Sequence, residues 1–239
     1  MVPTVNPVMI NKKWPLQVLD NKLAMDWISW EFERFEVLRD LIEAGTVVYD
    51  IGSEEGDFPA LYGTWGAEVV LIEPSQFAWP QIKAHWEANV DHPPAGMFVG
   101  FATDEDVTVE TEYDDQIKDG WPACCYQPMR LGWGFSHISD EFDGKLTRHN
   151  RLDTLKTRYS WPTPDLLTID VEGSEGYVLR GATGILENDR PEVVVALHSL
   201  FMWEQYREGT HQVWDLMRNL DYTGTLIWVD HEEHVWFQP

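Results

Sequence analysis

The sequence predicts an α/β fold: a central sheet of seven strands, mostly parallel, with helices on both faces and an antiparallel hairpin at its C-terminal edge. Three observations carry that prediction. Short runs of β-branched and aromatic residues alternate with segments of helical period over residues 47–101. The same alternation resumes over 165–220, and it implies parallel strands joined by right-handed helical crossovers. The last two apolar runs are separated only by residues 230–233, the spacing of a hairpin.

Each element follows in order. Residues 1–20 carry Pro3, Pro7 and Pro15 without a clear period and read as an arm on the domain surface. Trp27, Trp30, Phe35, Leu38, Leu41 and Ile42 recur at helical spacing, predicting a helix over 26–44 that stops at Gly45. A strand over 47–51 hands over to Gly52, followed by a helix over 57–65, a strand over 69–72, a helix over 76–89 and a strand over 97–101. Residues 103–148 lose this regularity and are rich in Asp, Glu, Gly and aromatics, so they read as an insertion or lid that carries the acceptor region. Strands follow at 165–171, 192–198, 225–229 and 234–237, with helices at 174–186 and 201–220. No linker divides the chain, and one domain over 1–239 is expected.

Composition narrows the functional classes. In 239 residues, 44% are hydrophobic and 13 are Trp, more apolar material than a disordered chain holds. Seventeen Lys and Arg against 41 Asp and Glu give a net charge of −24, which opposes binding to nucleic acid or anionic membranes. Cys124 and Cys125 are neighbours and cannot form a loop-closing disulfide framework, which suits a reducing compartment. With no apolar stretch of membrane-spanning length, a cytoplasmic protein is expected.

The chemistry concentrates at strand ends. The turn Asp50-Ile51-Gly52-Ser53-Glu54-Glu55-Gly56-Asp57 places glycines where backbone passes close to a ligand and precedes a helix with free N–H groups. A dinucleotide fingerprint wants Gly at position 54; Glu stands there, and a pyrophosphate would be repelled, so a cationic cofactor suits the turn better. Glu73, ending the second strand before Pro74, has the position from which a carboxylate takes two ribose hydroxyls. Asp170 and Glu172 end a later strand, where two carboxylates can orient a nucleophile, balance a sulfonium or bind a divalent metal, although no ligand spacing demands a metal. His198 ends the next strand and is the candidate base, with Asp170 its rival or orienter.

Other features read as scaffold. Glu175 is expected to cap a helix or to be solvated. His231 and His234 are expected to be surface residues of an edge strand, because histidines three apart in a turn do not make a helical zinc motif. Trp27, Trp30, Trp203 and Trp214 fall at core-packing positions, whereas Trp121, Trp133 and Phe135 lie in the insertion and either line an acceptor site or bury the lid.

Arg151-Leu152-Asp153-Thr154-Leu155, Ile169-Asp170-Val171-Glu172-Gly173-Ser174-Glu175, Val178-Leu179-Arg180-Gly181-Ala182 and Arg190-Pro191 resemble the signature of the FkbM-type methyltransferases. Val48-Tyr49-Asp50-Ile51-Gly52 with Gly56, then Ile72-Glu73-Pro74 and Asn89, resemble its first half, so the likeness covers residues 46–200. That family's turn usually reads Asp-Ile-Gly-Ala-Asn, and here Ser53 and Glu54 replace the last two. The resemblance implies a Rossmann-like class I methyltransferase using S-adenosyl-L-methionine, with sugar or polyketide hydroxyls as usual acceptors. It implies a cofactor seat at Asp50, Gly52, Ser53, Gly56, Glu73, Pro74 and Asp104, and a reacting centre faced by Asp170, Glu172 and His198. The expected function is O-methylation of a small molecule or glycan. The rivals are N-methylation on the same fold, a cofactor-binding protein without turnover and, more remotely, a nicotinamide oxidoreductase.

Overall fold

The computed structural model describes residues 4–107, 117–127, 129 and 148–239. The chain opens with β1 (Val5–Ile10) and β2 (Trp14–Leu19), then α1 (Phe32–Leu41). Next come β3 (Val47–Ile51), α2 (Asp57–Thr64), β4 (Glu68–Glu73), α3 (Trp79–Asn89), β5 (Gly96–Val99) and β6 (Phe101–Ala102). Short strands β7 (Ile117–Lys118), β8 (Trp121–Pro122) and β9 (His149–Asn150) lead to α4 (Leu152–Tyr159) and β10 (Leu166–Ile169). After α5 (Glu175–Gly181), α6 (Thr183–Asn188) and β11 (Glu192–Leu197) come α7 (Ser199–Phe201), α8 (Thr210–Asn219), β12 (Thr223–Val229) and β13 (Glu233–Gln238).

Seven strands form the main sheet in the order β12-β13-β11-β10-β3-β4-β5. The five from β11 to β5 are parallel, and β13 and β12 run antiparallel at the edge, as the short connection between them predicts. Strand period sorts each strand onto two cores: Val47, Tyr49 and Ile51 of β3 pack with α4, α5 and α8 residues such as Leu155, Val178 and Met217, while Val48 faces the opposite layer with Phe35, Leu61 and Trp86. Among the described residues no helix is long and apolar enough to cross a membrane.

Four expected elements differ. The N-terminal arm is a β-hairpin whose turn residues Asn11 and Lys12 both have positive φ; Ile10, Leu16 and Val18 are buried, and the prolines had masked the alternation. Side chains of α3 occupy its free edge, Asn89 accepting from Gln17 N–H at 2.7 Å and His85 Nε2 accepting from Leu19 N–H at 3.1 Å. The first helix starts at Phe32 rather than 26, because Asp26 takes the Ser29 hydroxyl and the Ile28 N–H into a local turn. The helix expected over 174–186 breaks at Ala182, where the Asp153 carboxylate caps α6 by accepting the Gly184 and Ile185 N–H groups at 3.0 and 2.9 Å. The helix expected over 201–220 becomes α7, a π-turn (Met202–Tyr206) and α8, separated where Arg207 turns left-handed before Gly209.

Gly52, just after β3, bears the tightest approach among the described glycines: at φ 88°, a Cβ there would lie 1.8 Å from the Asp170 carbonyl oxygen. Gly52→Ala is therefore expected to cost roughly 2–6 kcal/mol from strain plus overpacking. Gly45→Ala, at φ 89° with nothing within 4 Å, is expected to cost about 1–2 kcal/mol. Urea unfolding of both variants checks the contrast.

Candidate active site

The C-terminal ends of β3, β4, β10 and β11 open on one cavity of about 780 Å³. The glycine turn after β3 forms its floor, and the chain's own backbone explains both glycines. Gly52 admits the end of β10, and at Gly56 a Cβ would lie 2.5 Å from Cα of Ile82. Ser53 lines the cavity, yet its hydroxyl is committed to the sheet, donating to the Asp50 carbonyl at 3.2 Å and accepting from Ile72 N–H at 3.3 Å.

Asp50 and Glu73 flank this turn. Asp50 accepts from the Thr168 hydroxyl at 2.7 Å, and its other oxygen is buried without a hydrogen-bond partner. Burial pushes its carboxyl up to about 6. Glu73 accepts the backbone N–H of Glu54 at 3.0 Å and of Ser75 at 2.8 Å, one on each oxygen. Burial outweighs those two bonds and pushes its carboxyl up to about 8. Pro74 lines the cavity beside it. Asp104 also lines it, but its carboxylate is held by Arg180 Nε at 2.9 Å.

The opposite wall is a chain of charges. Arg34 of α1, with a side chain 3% exposed, pairs with Glu31 at 2.7 Å and with Asp170 at 3.0 Å. His198, 5% exposed, shares Nδ1 with Glu175 at 2.8 Å. Its Nε2 faces Glu232 at 2.6 Å, and Asp170 and Glu172 each at 3.7 Å. Burial would lower the pKa of the ring, but Glu175, Glu232 and the charge of Asp170 overcome it and push it up to about 11. Nδ1 is bonded to Glu175 and Nε2 is ringed by three carboxylates, so His198 stands in an acidic wall rather than as an unencumbered imidazole.

Several other expectations change. Glu175 is neither cap nor solvated: it is fully buried, accepting from Gly173 N–H at 2.9 Å and bonded to His198. His234 is not a surface residue, at 0% exposed, and the neighbouring Glu232 is buried with it, whereas His231 is exposed as expected. The donor group that Asp170 joins contains His198 and Glu232 rather than Glu172, with which a divalent metal is one of three options for it. Trp30 lines the cavity and Trp203 is 58% exposed, so neither is a core residue, while Trp27 is buried and Trp214 packs on Phe237. Trp121 is buried in the core, as are Cys124 and Cys125. Trp133, Phe135 and most of the acceptor region expected over 103–148 lie outside the described residues.

Sequence reasoning missed the N-terminal contribution. Lys22 is buried at the cavity, paired with Glu55 and, at 3.1 Å, with Asp57, both from the glycine turn. Burial would lower its pKa, yet these acids hold it above the ordinary lysine value. Neither Lys22 nor Arg34 stands in a motif, and the signal available was a cation in a chain otherwise dominated by acids.

A family model described as the methyltransferase FkbM domain matches residues 50–223. No curated protein matches the sequence. Among solved structures, an FkbM methyltransferase from Methylobacillus flagellatus KT is similar at TM-score 0.50 and 14% identity, covering 81% of this chain and 43% of that one. The chain thus spans less than half the length of that relative. A precorrin-6y C5,15-methyltransferase from Geobacter metallireducens GS-15 is similar at TM-score 0.48 and 9% identity, covering 87% of each chain. M. jannaschii TYW2 in complex with AdoMet is similar at TM-score 0.48 and 12% identity, covering 99% of this chain and 86% of that one.

Arg34 supplies the positive charge between Glu31 and Asp170. Arg34→Leu is expected to destabilise the protein by about 3–5 kcal/mol by leaving a buried acid unpaired. Adding Glu31→Gln should recover part of that loss in a double-mutant cycle read by chemical denaturation.

Proposed function

Because the chain belongs to the methyltransferase FkbM domain family, we propose that it is an S-adenosylmethionine-dependent methyltransferase acting on a hydroxyl of a sugar, glycan or other small molecule. The carrying observation is the pair of buried acids, Asp50 and Glu73, at neighbouring strand ends beside the glycine turn, lining the same cavity as Asp170.

The residues present fit the cofactor. Each Glu73 oxygen has accepted one backbone N–H and keeps a second acceptor site, which suits the two adjacent hydroxyls of a ribose. The partnerless oxygen of Asp50 offers a further acceptor. Acids dominate the lining, and they favour a ligand carrying an ammonium and a sulfonium over a neutral or anionic one. A volume of about 780 Å³ accommodates a nucleoside-sized ligand with a small acceptor beside it. When bound, the cofactor supplies a methyl group on positively charged sulfur.

The chain's own groups then hold the acceptor and take its proton. Asp170 and Glu172, with side chains 28% and 53% exposed, are the most exposed carboxylates of this wall, Glu31 and Glu232 being nearly buried, and the proton-accepting role falls to them. Arg34 fixes one Asp170 oxygen, leaving the other toward His198. An acidic lining disfavours phosphorylated or carboxylated acceptors and favours neutral polyols. The same lining favours a second reading, methylation of an amine, which product analysis separates by locating the new methyl on oxygen or nitrogen.

Calorimetric titration is expected to show S-adenosylmethionine binding that weakens at least about tenfold in Glu73→Ala; no binding by the wild-type chain would overturn the assignment. Because hydroxyl donors favour ionised Glu73, and its pKa is pushed up to about 8 in the free cavity, affinity should rise as pH increases towards 8 and level off above it. Binding at pH 7 should release close to one proton, measured from the heat in buffers of different ionisation enthalpy.

A further inference from the structure

The arrangement around His198 asks for a cation at one specific place. Nδ1 of the ring is bonded to the buried Glu175 at 2.8 Å, the kind of carboxylate contact that commonly fixes a metal-binding imidazole with its other nitrogen facing the ion. Nε2 faces Glu232 Oε2 at 2.6 Å and the carboxylates of Asp170 and Glu172 at 3.7 Å. The 2.6 Å approach is not an aligned hydrogen bond: Glu232 Oε2 is buried and accepts none. Beside it, both ring nitrogens of fully buried His234 also lack a hydrogen-bond partner, although Nε2 lies 3.2 Å from Glu232 Oε1. Buried polar atoms left this way point to a missing partner.

Charge gives the same answer. Glu31, Asp170, Glu172, Glu175 and Glu232 form one linked group with Arg34 and His198, five carboxylates against one guanidinium and one imidazole. Even with the ring protonated, acidic groups outnumber cations five to two in a largely buried wall.

We propose that Asp170, His198 and Glu232 form a binding site for a single divalent transition-metal ion, which takes the place of the proton on His198 Nε2 and releases it to solvent, with its remaining coordination positions open to the cavity. These residues each bring one donor atom to within 4.8 Å of the others; bonds of about 2.0–2.2 Å span at most about 4.4 Å, so small side-chain shifts close the three donors on one ion. One imidazole nitrogen with carboxylate oxygens suits Mn²⁺, Fe²⁺, Co²⁺ or Zn²⁺ better than the all-oxygen preference of Mg²⁺ or Ca²⁺. Glu172 stands at the rim, half-exposed, and is not one of the three ligands. The open side would receive a hydroxyl oxygen of the acceptor, with Glu172 rather than the ion-bound Asp170 left to take its proton, a use that rests on the methyltransferase reading; the binding of the ion does not.

The test is Mn²⁺ titration of the chelator-treated, dialysed full chain, read by loss of the free-ion signal in electron paramagnetic resonance. One Mn²⁺ per chain is expected, weakened at least about tenfold in Glu232→Gln and in Asp170→Asn and changed far less in Glu172→Gln. Absence of stoichiometric uptake by the wild-type chain overturns the proposal, and so does wild-type affinity in Glu232→Gln. A cooperative thermal melt shows that each variant is folded, and if Glu232→Gln does not fold, Asp170→Asn decides. Calorimetry with S-adenosylmethionine on the wild-type chain is scored separately, so a failed metal site and a failed cofactor site give different results.

Discussion

One imidazole set among four carboxylates organises one wall of the cavity. His198 meets Glu175 at the start of α5, Asp170 and Glu172 after β10, and Glu232 in the turn between β12 and β13. Removing this ring would leave these acids to repel one another in a poorly solvated place, so three chain segments depend on a single imidazole. Arg34 extends the arrangement to α1, and the lead helix is thereby tied to the same point.

The glycine turn works on a different principle. Its glycines are required because the backbone of β10 and the helix α3 press against them, and this crowding brings the ends of β3, β4 and β10 together. Asp50 and Glu73 are consequently held in a confined space before any ligand arrives, and the energetic cost shows in their raised carboxyl pKa values. A ligand that donates hydrogen bonds to both relieves that cost.

Position along the sheet made much of this legible in the sequence. Alternating periods placed Asp50, Glu73, Asp170 and His198 at strand ends, and parallel strands bring such ends to one edge. What could not be read were the partners: Arg34 and Asp170 are 136 residues apart, and His198 and Glu232 are joined only by the final hairpin. The edge-strand assignment of His234 failed because β13 lies inside the sheet, with β12 at the rim. Residues that carry the family resemblance also proved more architectural than expected. Asp153 caps α6, Arg151 bonds the carbonyls of Asp104 and Arg180, and Gly181 makes room for the Thr103 carbonyl.

The N-terminal hairpin and lead helix lie before residue 50, where the family match begins. Yet this stretch delivers Lys22, Glu31 and Arg34 to the cavity. Two of these are cations, set in a wall otherwise rich in acids. A site transferred from relatives by alignment of the matched region alone would omit them and describe a pocket far more negative than the one the chain builds. The part of the protein least constrained by the shared signature therefore tunes the field in which the shared residues act.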